Sequence, residues 1–299
     1  MAVTDISQRL VDAIRSAYGR HPGYRAAHAK GTCCSGVFTG SPEARELSKA
    51  AVFSGAPVPA TIRFSNGSGD PSRPDTALDG RGMAVKFHLA GAELDFVSLS
   101  QPVFFVRDLE SFIEFTQVRG DRLAVEAWAA GHPEAVGALL HLATTPAAAS
   151  YLDLSFHGLH AFALVDAAGE RRWARYSWVP RQPGQPLTSE ERKARNPDYL
   201  QQELFEHLAA RPATYDLVYQ LAGPEDPVDD PTLMWPDERE KVVAGHLDVQ
   251  AVVEDQDGGC SRLVFDPMHL VDGIEPSADP ILLARPGAYS ISITERLGD

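Results

Sequence analysis

The sequence predicts an α+β protein organised around an antiparallel β-sheet or barrel. Short stretches of strand-like alternation recur at close intervals in both halves of the chain, and the helical periodicity between them is grouped instead of following each strand singly. The 299-residue chain also has no internal repeat, low-complexity tract or clear boundary, which suits one unit over 1–299 with 1–20 as an N-terminal helical arm.

In 4–18, Ile6, Leu10, Val11, Ile14 and Ala17 recur at helical spacing; Thr4 or Asp5 can cap the helix, and Gly19 with Pro22-Gly23 stops it. Glycines then frame a strand between Gly31 and Gly40, and a short helix fits 45–53, ending at Gly55. Over 57–64, Ala60, Ile62 and Phe64 share one strand face while Thr61, Arg63 and Ser65 share the other. A turn-rich loop from Asn66 to Asp75 leads to a strand over 83–89 and short β runs at 94–97 and 103–106. Helical patterns occupy 109–117, 121–131, 133–142 and 145–151. In the second half, 161–165 and 173–179 read as a hairpin, and 180–198 as a polar, Pro-rich surface connection. Residues 197–210 and 214–221 read as helix or part-helix, and 246–253 with 260–265 as a further strand pair.

Composition narrows the function. With 44% hydrophobic and 23% charged residues, the chain is ordinary globular protein. Its formal charge of −14 argues against nucleic acid or an anionic membrane as partner. No apolar run approaches the length of a membrane span, and the N-terminus lacks the charged start and apolar run of a signal peptide, so a soluble, cytoplasmic protein is expected. Cys33, Cys34 and Cys260 cannot all pair within one chain and form no C-x-x-C, which fits a reducing compartment.

Near the C-terminus, Arg285 precedes Tyr289 by four residues and Arg296 follows it by seven. On a helix these positions lie within about 40° of one another. Neighbouring guanidiniums lower a phenol's pKa, and a phenolate is an axial ligand of haem iron. The alternation of Ser290-Ile-Ser-Ile-Thr294 also fits a half-buried strand with Tyr289 packed at its start. Upstream, His28 is a candidate acid–base at neutral pH, and Ser65 could orient its imidazole while Arg63, on the same strand face, binds an anion. Read alone, each residue is more simply structural: a packed Tyr289, a satisfied His28, and a solvated strand face at Arg63 and Ser65. The glycines at 67 and 69 lack a phosphate-loop pattern, no G-x-S-x-G is present, and the spacing of His21, His28, Cys33 and Cys34 matches no standard zinc site.

Taken in order, the set resembles the haem catalase superfamily. Arg25-Ala-Ala-His28-Ala-Lys-Gly31 is similar to its distal-histidine motif, and Ile62-Arg63-Phe64-Ser65 to the strand that follows. Asp79-Gly-Arg-Gly-Met-Ala-Val-Lys-Phe87 and Pro102-Val-Phe104-Phe105-Val-Arg-Asp108 resemble the next strand and the pocket-lining segment, and Gly158-Leu-His160-Ala-Phe162 a later hairpin. Phe265-Asp-Pro267, Gly273-Ile-Glu-Pro-Ser277 and Arg285-x-x-x-Tyr289 resemble the proximal side. The likeness is closer to short, catalase-related peroxidases than to full catalases, whose C-terminal extension has no counterpart after Arg296.

This resemblance implies a barrel of about eight antiparallel strands with surrounding helices, and haem b buried between barrel and helices. It implies Tyr289 as iron ligand, Arg285 holding it as phenolate, and His160 with Asp279 continuing that network. Arg25, Arg63 and Arg296 would pair with the propionates, Phe112 would pack on the macrocycle, and Phe104 and Phe105 would line the access route. His28 would be the distal acid–base and Ser65 would hold its ring. The position of the family's distal asparagine falls on Leu99, which cannot donate a hydrogen bond. The activity implied is therefore peroxidase turnover of H2O2 or organic hydroperoxides with a small-molecule electron donor and weak or no catalase activity. A fatty-acid hydroperoxide isomerase and a non-catalytic haem-binding protein are the alternatives. The assembly would be a monomer or a homodimer, and Pro286-Gly287 would cap, kink or break a helix carrying Tyr289.

Overall fold

The computed structural model describes the backbone of residues 3–298 and the side chains of 6–298. Its elements are α1 (Val3–Tyr18), β1 (Gly31–Gly40), α2 (Pro42–Leu47), β2 (Val58–Asn66), β3 (Arg81–Leu89), β4 (Ala92–Leu99), α3 (Leu109–Val118), α4 (Arg122–Ala129), α5 (Val136–Thr144), β5 (Phe156–His157), β6 (Phe162–Val165), β7 (Arg171–Pro180), α6 (Ser189–Ala194), α7 (Tyr199–Ala210), β8 (Ala213–Leu221), β9 (Lys241–Val252), β10 (Ile274–Pro276) and α8 (Pro280–Gly298). α1 begins before Thr4 and Asp5, and the side chains of these two candidate caps lie outside the described residues.

The strands form a closed antiparallel barrel. β1, β2, β3, β4, β5, β7, β8 and β9 follow one another around it, and β7 pairs with β8 to close the ring of eight. β6 extends the edge that β5 begins along β7, and β10 pairs with β6. The join between β4 and β5 is the narrowest of the ring, the single pair Leu99–His157. The lumen is filled by inward residues of alternate positions: Phe38, Phe87 and Trp178 are all fully buried and meet edge to face or tilted, with Phe38 and Phe87 centroids 5.3 Å apart. The barrel is thus a packed core, and the helices on its outside form the opposite wall of the site. α1 packs against both α3 and α8.

Several local expectations give way to this closure. Residues 214–221 lie in strand β8, not a helix, because Tyr215, Leu217, Tyr219 and Leu221 are buried at a period of two. Residues 260–265 do not pair with β9, whose two edges are already taken by β8 and β1. Instead 256–260 form a π-turn opened by Asp255, whose carboxylate accepts the Gly258 N–H. Residues 103–106 are irregular, and 145–151 hold no α-helix, since α5 ends at Thr144 before Pro146. The helix expected at 45–53 begins earlier, behind the Ser41 cap, and ends at Leu47. The first turn of 133–142 is 3-10 rather than α.

Two further expectations concern the site directly. Cys33 and Cys260 are joined by a disulfide while Cys34 is free and buried, so the three do not all pair, as expected, but the bond runs against the expectation of a reducing compartment. The strand alternative for 290–294 also fails: α8 runs unbroken through Pro286. Proline costs α8 a backbone donor there. Gly287 lets α1 approach at that turn, because a Cβ on it would collide with the Ser7 side chain.

Candidate functional site

Between the barrel and the helices lies a cavity of about 570 Å³. Every candidate residue of the sequence reading except Asp279 lines it, and Asp279 stands directly behind one that does.

One wall is the helix α8. Tyr289 Oη accepts a hydrogen bond from Arg285 Nε at 3.1 Å, and Arg285 Nη1 lies 3.1 Å from His160 Nε2. His160 Nδ1 in turn lies 2.6 Å from Asp279 Oδ2. A guanidinium can only donate and a carboxylate can only accept. The tautomer therefore follows: His160 is neutral, accepts at Nε2 and carries its proton on Nδ1, which it donates to Asp279. Burial lowers the His160 pKa against the pull of Asp279, in keeping with this neutral state. Asp279 also accepts the N–H groups of Ile281 and Leu282, anchoring the chain of bonds at the first turn of α8. Tyr289 departs from expectation in one respect. Burial raises its pKa above the ordinary phenol value, and Arg285 only partly offsets this, so the phenol is protonated at neutral pH until something replaces its proton.

The opposite wall comes from β2 and the segment before β1. His28 Nδ1 lies 3.0 Å from Ser65 Oγ. Among the described residues His28 is the one non-glycine with a positive φ, 56°. The loop after β2 holds it there: His28 N–H bonds Gly67 O at 3.3 Å and Ala29 N–H bonds Ser68 O at 2.9 Å. The imidazole has room because β3 passes behind it as Gly82, where a Cβ would stand 2.8 Å from His28 Nδ1 and 2.9 Å from Ser65 Oγ. Burial, reinforced by Arg63, Arg285 and Arg25, pushes the His28 pKa down to about 3. The ring is therefore neutral across the physiological range. The β3–β4 register sets Leu99 directly opposite Gly82, so the residue beside the imidazole is apolar.

At one side Arg25, Arg63 and Arg296 converge. Arg25 Nη2 donates to Cys260 O and Leu263 O at 3.1 and 2.9 Å, and Arg296 Nη2 donates to the same Leu263 O at 3.1 Å. The Cys33–Cys260 disulfide ties the segment carrying these carbonyls to β1. No carboxylate pairs with any of the three guanidiniums among the described residues, and Arg63 Nε and Arg296 Nε are buried without a partner. Burial and mutual repulsion lower the pKa of Arg25, and the repulsion of Arg63 and Arg296 is part of it. Buried, unsatisfied donors around a positive cluster call for an anion. Phe104 and Phe112 add near-parallel apolar faces, their planes 13° apart.

The comparisons with known proteins bear on this arrangement. The family model described as Catalase matches residues 10–299. The chain belongs to the catalase family. A "Catalase-related peroxidase" of Mycolicibacterium paratuberculosis is 39% identical over 294 residues, 96% of this chain and 94% of that protein. One of the same description from Synechococcus elongatus is 34% identical, over 96% of this chain and 88% of that protein. Among solved structures, a fungal catalase superposes with a TM-score of 0.84 at 27% identity, covering 93% of this chain and 60% of its own length. Catalase A from Saccharomyces cerevisiae superposes with a TM-score of 0.85 at 25% identity and 62% of its length. The family implies a haem cofactor, and the residues present fit one: orphaned guanidiniums suit propionate carboxylates, aromatic faces suit a flat ring, and a buried phenol suits an oxygen-liking iron.

Sequence reading missed the walls of the cavity that contribute shape rather than chemistry. Gly82 is one, and the apolar face of α1, with Leu10, Val11 and Ile14, is another. Periodicity announces such a face but not what it covers.

Proposed function

We propose that the chain is a haem b peroxidase that reduces organic hydroperoxides and H2O2 at the expense of a small-molecule donor, with little oxygen release from H2O2. The observation that carries this reading is that Tyr289, hydrogen-bonded to Arg285, and His28, held by Ser65, line the same cavity. Tyr289 would hold the iron, Arg25, Arg63 and Arg296 the propionates, and Phe112 the ring. Bound there, haem supplies a redox-active centre that binds peroxide and stores the electrons exchanged.

The work of the chain is proton management. His28, neutral and with Nδ1 engaged by Ser65, presents Nε2 to the cavity. It accepts the hydroperoxide proton there and returns it to the departing oxygen, so the oxygen leaves as water or an alcohol instead of an anion. The balance is ROOH plus two electrons and two protons to ROH plus water, the electrons coming from the donor. Arg285, donating to Tyr289, would favour its phenolate when Tyr289 holds the iron, and the His160–Asp279 pair fixes the guanidinium. Leu99 leaves a second H2O2 unoriented beside His28, which disfavours dismutation more than the first O–O cleavage. The strained φ of His28 supports catalysis over storage, since a haem store needs only Tyr289.

The test compares donor oxidation with oxygen release in haem-loaded protein. Hydroperoxide consumption matched by oxidised donor, with little oxygen from H2O2, is expected. Rapid donor-free oxygen release would overturn the assignment, as would rearranged products with no donor consumed.

A further inference from the structure

The cavity extends well past the residues assigned so far. Beyond Phe112 its walls are apolar, drawn from α1, α3 and α5 by Leu10, Ile14, Phe115, Val125 and Leu139. At this end stands a part-buried guanidinium with no partner of opposite charge among the described residues. Arg119, the residue that ends α3, lies with its guanidinium carbon 3.9 Å from the centre of the Tyr18 ring of α1. Among the described residues it has no side-chain hydrogen bond and no carboxylate within ion-pair distance. Burial brings its pKa to about 10. The cavity lining also includes Arg73 and Leu78, both exposed, and Asp79, whose carboxylate accepts the Ser68 N–H.

A half-buried cation at the end of a long apolar passage is costly unless an anion visits it. On a chain of formal charge −14 it adds to the cationic lining that makes this cavity attractive to anions. Tyr18 holds the guanidinium by its face, which leaves the in-plane N–H fork free for a carboxylate. We infer that Arg119 is a specificity residue that takes the carboxylate of an amphipathic hydroperoxide, whose apolar body lies along the α1–α3–α5 wall with its peroxide end toward His28. The inference rests on the peroxidase reading and names the substrate class for the same cavity.

The experiment uses haem-loaded protein and matched probes: a linoleic acid hydroperoxide, its methyl ester, and the corresponding hydroxy acid and hydroxy ester. The hydroxy compounds carry no peroxide, so their binding, measured by calorimetry, does not depend on turnover. The wild type is expected to favour acid over ester by about tenfold or more in both kcat/KM and affinity. In Arg119→Gln that ratio should fall toward unity, and Arg119→Lys should keep part of it. Equal use of acid and ester by the wild type would overturn the inference. So would an Arg119→Gln variant that weakens both alike, the signature of a lost α1–α3 contact. Acid-selective binding without any peroxide turnover would support the anion site and overturn the peroxidase reading instead.

Discussion

The two walls of the cavity solve opposite electrostatic problems. On the α8 side, four groups form one chain, with Arg285 donating outward both to Tyr289 and to His160, and His160 donating on to Asp279, so each hydrogen bond has a fixed donor. On the β2 side, His28 touches a single hydroxyl, Ser65, and is otherwise surrounded by burial and by cations it does not bond. The first arrangement supplies a charge to a buried oxygen. The second withholds charge from a buried nitrogen. In the proposed function a ligand would be anionic and stationary, whereas an acid–base would be neutral and free at one nitrogen, and the asymmetry suits those two tasks.

Breaking the β2 wall should cost chemistry without costing the cofactor. His28→Gln is expected to keep its haem and lose about 10²- to 10⁴-fold in hydroperoxide turnover per bound haem, measured with a colorimetric donor. Breaking the α8 wall behind the ligand should cost less and show up differently. Asp279→Asn leaves His160 free to change tautomer, and haem affinity or turnover should fall about 10- to 100-fold, read by haem titration beside kinetics. Removing the one contact on the imidazole sharpens the comparison from the other side. Ser65→Ala should slow turnover by only about 2- to 10-fold, the worth of one neutral hydrogen bond.

The pH dependence of stability is a fourth and smaller effect. Burial lowers the pKa of His28 to about 3 and that of His157 to about 4, below the ordinary value of 6.5. Between those values the unfolded chain binds more protons than the folded one, so stability rises with pH there and is complete above the unfolded pKa. Denaturant titrations of haem-free protein should lose stability as pH falls from about 6.5, each histidine contributing a slope approaching 1.4 kcal/mol per pH unit. His28→Gln should shallow that slope, and an unchanged slope would mean that the imidazole titrates normally in the fold.

The α8 wall was half legible in the sequence. Arg285 and Tyr289 are four residues apart on one helix, so local spacing already joins them. The His160–Asp279 contact spans 119 residues, and only resemblance to a family suggested it. The β2 wall was less legible. Arg63 and Ser65 share a strand face by parity, but nothing local says that β3 must be glycine at 82 for an imidazole to fit. The Cys33–Cys260 bond crosses 227 residues and brings to the arginine cluster a carbonyl no motif could mark. Where local pattern failed outright, as in β8, barrel closure overrode a helical reading by burying every second residue. α8 is the reverse case: a five-residue strand alternation lost to a long helix that crosses a proline, packed against α1 through Gly287.

In the proposed function Tyr289 is the group that would hold the iron. Haem titration of wild type and Tyr289→Phe, followed by absorption, tests this most directly. Phenylalanine keeps the ring and its packing and removes only the oxygen that Arg285 serves. The wild type should give a saturable Soret band with one haem per chain, and the variant should bind haem far more weakly with a shifted band. A Tyr289→Phe titration that overlays the wild type in affinity and spectrum would contradict the account.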